Sequence, residues 1–111
     1  MRIVEVSAVR PRAVERFGSR GFSIGTLCAE AYVAAATLEP QGGIGRHPAV
    51  DDQCLVVIEG SATVSGGDGS FVAIEPGQAA LWLAGEDHET RTEDGVRVLI
   101  IEGAGLADRL V

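Results

Sequence analysis

The sequence predicts an all-β, antiparallel fold. Its apolar runs are short and follow one another at nearly even spacing, as in CLVVI (54–58), FVAI (71–74), AALWLA (79–84) and VLII (98–101). Turn signals cut the chain between them: GGDGS (66–70), PGQ (76–78), GED (85–87) and EDG (93–95). β-Branched residues crowd the runs themselves. Many short strands separated by glycine-rich turns are the pattern of a sandwich or barrel.

The elements follow in order. RIVEVSAV (2–9) reads as the first strand. FSIGTLCAEAYVAAATLEP (22–40) reads as one or two strands; Ala34, Ala35 and Ala36 favour a helix by propensity, but no capping signal opens one. CLVVIEGSATVSG (54–66) is strand, and FVAIE (71–75) returns across GGDGS to form a hairpin. AALWLA is the next strand, ETRT (89–92) extends to the turn EDG, and VRVLIIEG (96–103) is the last clear strand. AGLADRLV (104–111) is a short terminal helix or a frayed tail. CLVVI and VLII are apolar at consecutive positions, so both of their faces must be covered. In a chain this small one face lines the interior and the other meets a second subunit, and a homodimer is expected.

The 111 residues suffice for one domain, 1–111, with a single core. An apolar share of 46% excludes general disorder. No repeat of fixed period is visible. The net charge is −7, and every basic residue is arginine. Residues 1–20 hold Arg2, Arg10, Arg12, Arg16 and Arg20 against two glutamates; the remainder holds four arginines against 14 acids. An acidic body repels phosphate backbones, so no nucleic-acid partner is expected, and the dispersed basic start reads as a solvated face. No run reaches the ~20 apolar residues of a membrane helix, and no leader-like apolar core follows Met1. A soluble, cytoplasmic protein is the expectation. Cys28 and Cys54 have neither a CxxC partner nor zinc-ligand spacing and read as small buried hydrophobes.

The chemistry concentrates around the only two histidines. His47 lies in GGIGRHPAVDDQ (42–53), and His88 in LAGEDHET (83–90). Around them the chain resembles the cupin superfamily over about residues 40–103. The first cupin motif, G-x5-H-x-H-x3,4-E-x6-G, is met by His47 at its first histidine and Gly60 at its closing glycine. Ala49 stands at the second histidine, Gln53 at the glutamate, and Gly42 is one residue short of the leading glycine. The second motif, G-x5-P-x-G-x2-H-x3-N, is met by Gly77, Gly85 and His88, with Leu83 at the proline and Thr92 at the asparagine. The resemblance implies an antiparallel jelly-roll β-barrel of the cupin type. It also implies a ligand set of His47, Gln53 and His88 around a divalent iron, manganese, zinc, nickel or copper ion, all of which imidazole suits.

The set is thin. Ala49 cannot be a ligand, and Gln53 offers only a neutral amide oxygen. A divalent ion on three neutral ligands needs a further anion. Asp51, Asp52, Glu86, Asp87 and Glu89 are candidates, Asp51 lying two positions before Gln53 and so on its face if the chain is extended. The competing reading is a pair of histidines hydrogen-bonded within the wall, for instance to Gln53. Trp82 is either core or, with Tyr32, an aromatic wall, and Arg46 is either surface or an attractor of anionic substrates. GGIG (42–45) lacks the lysine and helix of a phosphate loop, and no serine has a partner for nucleophilic catalysis. Two functions remain open. One is a metal-dependent protein acting on a small polar metabolite, with isomerase, dioxygenase and decarboxylase chemistry all found in similar barrels. The other is a metal-free module that binds a sugar or organic acid without turnover. With no helix-turn-helix fused to it, a regulator of this kind needs a partner chain.

Overall fold

The computed structural model describes residues 1–8 and 12–109. Eleven strands are present among them: β1 (Arg2–Glu5), β2 (Arg12–Val14), β3 (Phe22–Ile24), β4 (Tyr32–Leu38), β5 (Gly43–Pro48), β6 (Gln53–Gly60), β7 (Ala62–Ser65), β8 (Phe71–Ile74), β9 (Gln78–Trp82), β10 (Asp87–Arg91) and β11 (Val96–Glu102). One short helix, α1 (Leu106–Arg109), follows. The first expected strand ends early: Val6–Ala8 is a single 3-10 turn. Residues 9–11, with Arg10 among them, and residues 110–111 lie outside the described residues.

Two sheets carry the fold. The larger has the order β1-β9-β6-β11-β4 and the smaller β5-β10-β7-β8. Every pairing is antiparallel. The jelly-roll expectation holds in the form of a sandwich: no ladder joins the two sheets among the described residues, so the barrel is not closed. The alanines at 34–36 lie in β4, paired with Val98, Leu99 and Ile100 of β11; tertiary pairing overrides their helical propensity. The run 54–66 is broken into β6 and β7 at Gly60, which has φ 86°. A Cβ there would stand 2.4 Å from the Gly95 carbonyl oxygen, so both the turn and the close approach require glycine.

The core lies between the sheets. Leu55 and Val57 of β6, Ala80 and Trp82 of β9, and Val96 and Val98 of β11 meet Ala62, Val64 and Ile74 of the smaller sheet. Alternation sends Cys54, Leu81, Ala79 and Ile101 to the opposite face of the larger sheet. There Leu106 of α1 is fully buried upon them, with Val6, Leu27 and Cys28 packed alongside. Asp52 pins this cover: its carboxylate accepts the Ala107 N–H at 3.2 Å and the Ala84 N–H at 3.1 Å. Much of the second apolar face that the sequence assigned to another subunit is therefore covered by the chain itself.

Candidate functional site

His47 and His88 face one another. β5 and β10 are neighbours, with His47 directly opposite His88 and, further along, Ile44 opposite Thr90. The step from Ile44 to His47 is three residues but that from His88 to Thr90 only two, so β5 bulges between the pairs. Strict alternation would send Ile44 and His47 to opposite faces; the extra residue restores His47 to the interior phase. The ring centroids lie 4.4 Å apart at 53°. Trp82, from the facing sheet, closes on His88 at 4.5 Å between ring centroids. Its indole N–H donates to the Ser65 carbonyl at 3.1 Å, which fixes the ring.

The two imidazoles share one tautomer. His88 Nδ1 lies 3.2 Å from the Glu86 carbonyl oxygen, and His47 Nδ1 lies 2.6 Å from that of Gly45. A carbonyl only accepts, so each Nδ1 carries a proton, and in the neutral ring Nε2 is the lone pair. His47 is exposed. His88 is 2% exposed, and its Nε2 is the one buried side-chain N or O atom without a hydrogen-bond partner among the described residues. Burial pushes the His88 imidazole below its ordinary pKa. The Glu86 carbonyl opposes this, His47 reinforces it, and the carboxylates of Glu102 and Glu86 oppose it without prevailing. His88 is accordingly neutral near pH 7.

Gln53 stands in the other wall. It is buried, shares the interior face of β6 with Leu55, and pairs with Trp82 on one side and Glu102 on the other. Glu102 was not singled out from the sequence, although its register opposite Gln53 puts both on one face, and its charge reaches His88.

The supporting acids are mostly engaged elsewhere. Asp52 holds α1, and Asp51 accepts the Asp52 N–H at 3.0 Å outside the strand. Glu86 accepts from the Met1 ammonium and from the N–H groups of Gly67 and Leu83. Glu89 pairs with Arg91 at 2.8 Å, and Asp87 is exposed. Arg46 does not wait for a substrate: it donates to Ser65 Oγ at 3.2 Å and to the Gly66 carbonyl at 2.7 Å. Tyr32 lies exposed on the edge strand and forms no wall with Trp82. No group of three or more His, Cys, Asp or Glu side chains is placed to hold a metal ion among the described residues.

The ring separation is nevertheless one at which two imidazoles can share a transition metal. Nitrogen–metal bonds of about 2.1 Å to both rings bring their centres to within about 4–5 Å of each other, as the 4.4 Å separation allows. Backbone carbonyls on the distal nitrogens are the usual supports of such ligands. Calcium and magnesium, which require oxygen donors, do not fit.

No family model and no curated protein matches the sequence. Solved structures do match the architecture. A cupin superfamily protein from Desulfitobacterium hafniense DCB-2 aligns with a TM-score of 0.63 at 12% identity, over 69% of this chain and 70% of that one. An RmlC-like cupin with a double-stranded β-helix fold from Methanocaldococcus jannaschii aligns with a TM-score of 0.63 at 11% identity, over 78% and 79% of the two chains. The fold is that of the cupins. A third match, to a chain from the structures of the DMSP lyases RdDddP and RnDddQII, has a TM-score of 0.62 at 25% identity and covers 73% of this chain but 43% of that one. Within this fold His47 and His88 oppose each other across one strand pair, while Gln53 lies in the facing sheet.

Proposed function

We propose that this cupin binds a small polar metabolite at His47 and His88 and that the histidine pair, with Gln53 as third donor, holds a divalent transition metal there. The carrying observation is the buried Nε2 of His88. A lone pair sealed from water and left without a donor costs about 1–3 kcal/mol, and an electrophile at that atom recovers it. His88 holds its position through the Glu86 carbonyl and the Trp82 ring. Trp82 keeps water from its inner side. His47, exposed and fixed by Gly45, forms the open side through which a ligand reaches the pair. When bound, a divalent ion supplies Lewis-acid polarisation of a carbonyl or carboxylate oxygen. The likeness to a chain from the DMSP lyase structures supports a small polar metabolite as the molecule handled.

A second reading is favoured by one observation, the absence of any carboxylate from the donor set. A metal-free pocket would satisfy Nε2 with a hydroxyl or N–H donor of a sugar or organic acid. Calorimetry on chelator-treated, untagged protein separates the two. Titration with zinc, manganese, iron(II), nickel or copper(II) is expected to show one site per chain, lost in His88→Ala and in His47→Ala. It should be accompanied by a change in emission of Trp82, the only tryptophan. Failure of every metal to bind transfers the assignment to the metal-free pocket.

A further inference from the structure

One row of residues crosses the larger sheet at the end that carries the histidines. Trp82, Gln53, Glu102 and Tyr32 are successive partners across β9, β6, β11 and β4, and directly opposed residues share a face. That face is the interior one, because Ala80, Leu55, Ile100 and Ala36, in the same phase of the same strands, pack in the core. Trp82 closes on His88, and the charge of Glu102 acts on the His88 ring. The row therefore belongs to the histidine pocket and forms the side opposite the imidazoles.

Its two middle members lack partners. Gln53 is 5% exposed, yet its side-chain amide makes no hydrogen bond among the described residues. Glu102 is half-buried and enters no ion pair and no side-chain hydrogen bond among them. Opposed side chains are within reach of each other, so the Gln53 amide has an acceptor beside it that it does not use. A buried polar side chain left unbonded is costly. A metal does not account for the pair, because Glu102 is not placed with the histidines as a group of three. Glu102 also lines a cleft of about 670 Å³ with Glu30, Tyr32 and Asp51, and no arginine pairs with these carboxylates among the described residues. Uncompensated carboxylates concentrate cations and repel anions, and the exposed Tyr32 ring offers its face to a cation.

We propose that Glu102 and Gln53 select the ligand of the histidine pocket by taking a protonated primary amine, which makes that ligand a small amino acid. Its ammonium lies at Glu102 and Gln53 and its carboxylate at the histidine pair. An ammonium brings three donors and no acceptor. The Glu102 carboxylate and the Gln53 amide oxygen accept two of them, one through a charge-assisted bond. A simple organic acid has nothing to offer Glu102 and is repelled by it, whereas a zwitterion carries no net charge into the acidic cleft. The inference rests on the histidine pocket being a metabolite site, and it does not require the metal.

Calorimetry, with Trp82 emission as a second readout, compares ligands that differ only at the amine. β-Alanine is set against β-hydroxypropionate, and γ-aminobutyrate against γ-hydroxybutyrate. Each is titrated to about 10 mM, above a millimolar dissociation constant, at about pH 7.5, where the amines are protonated. The zinc-loaded wild type is expected to bind at least one amino acid about tenfold or more tightly than its hydroxy counterpart, as an added charge-assisted hydrogen bond allows. In Glu102→Gln, which keeps the shape and removes the charge, the preference should fall to within about twofold, with an unchanged β-type circular dichroism spectrum. Equal affinities in the wild type, or no binding of any of these ligands, overturn the proposal without any variant having to fold. A preference that persists in Glu102→Gln also overturns it, because the amine is then read elsewhere. Failure of zinc to bind counts against the metal reading alone: the same comparison on chelator-treated protein is still expected to favour the amine, and equal affinities there overturn the proposal as well.

Discussion

Replacing His88 by phenylalanine should make the metal-free protein more stable. The unpartnered Nε2 is buried, and such an atom costs about 1–3 kcal/mol. Against this stands the Nδ1 hydrogen bond to Glu86, long at 3.2 Å and worth about 0.5–1.5 kcal/mol net. Its loss strands nothing, because the Glu86 carbonyl also accepts the Ala49 N–H at 3.0 Å. The ring packing against Trp82, 4.5 Å between centroids, is retained by phenylalanine. The balance is a gain of about 1 kcal/mol, or roughly 4 °C in Tm for a domain of this size. Thermal and urea unfolding in the presence of a chelator at pH 7.5 measures it. His88→Leu serves as the companion that adds no ring bulk. Added zinc at a hundred times its Kd should raise wild-type stability by about 2.7 kcal/mol and leave the variant unmoved. Destabilisation by 2 kcal/mol or more (approximate, on the scale of a lost buried contact) in both variants would refute the reasoning. Nε2 would then be contributing to the fold rather than waiting for a ligand.

Two further outcomes follow from the same structure. Burial lowers the His88 pKa in the folded state, whereas the unfolded chain titrates near the ordinary value of about 6.5. Below that pH the unfolded chain takes up a proton that the folded one refuses, so this contribution to stability is present above about pH 7 and is lost as the pH falls toward 5. The urea midpoint should drop over that range in the wild type and less in His88→Phe; equal drops in the two proteins would assign the change to other groups. Burial pushes the Cys54 thiol up to about 11, while Cys28 is only half-buried, its Sγ 2.7 Å from the Glu30 carbonyl oxygen. Mass spectrometry after alkylation at pH 8 should find Cys28 modified in the folded protein and Cys54 only after unfolding, and equal labelling of both would show that the cover over Cys54 opens.

The amino-acid sequence determined the β class through its turns and runs. GGDGS does join two antiparallel strands, the runs at 79–84 and 96–103 hold β9 (Gln78–Trp82) and β11 (Val96–Glu102), and Trp82 is core as its apolar neighbours required. The resemblance of its two histidine motifs to the cupin pattern implied that His47 and His88 belong together, and their rings lie 4.4 Å apart. Alternation and turn chemistry are local properties, and they specify the face of a residue within its own strand. They do not specify which strand lies opposite. That is why only the tertiary structure set Gln53 between Glu102 and Trp82 in the strand register, and tied Arg46 to Ser65 and Gly66. For the same reason Leu106, distant in sequence, was needed to show that the outer face of Cys54, Leu81 and Ile101 is covered from within the chain. The bulge in β5 is the sharpest case: a single extra residue, set by pairing with β10, decides the face of His47, and no periodicity in GGIGRHP encodes it.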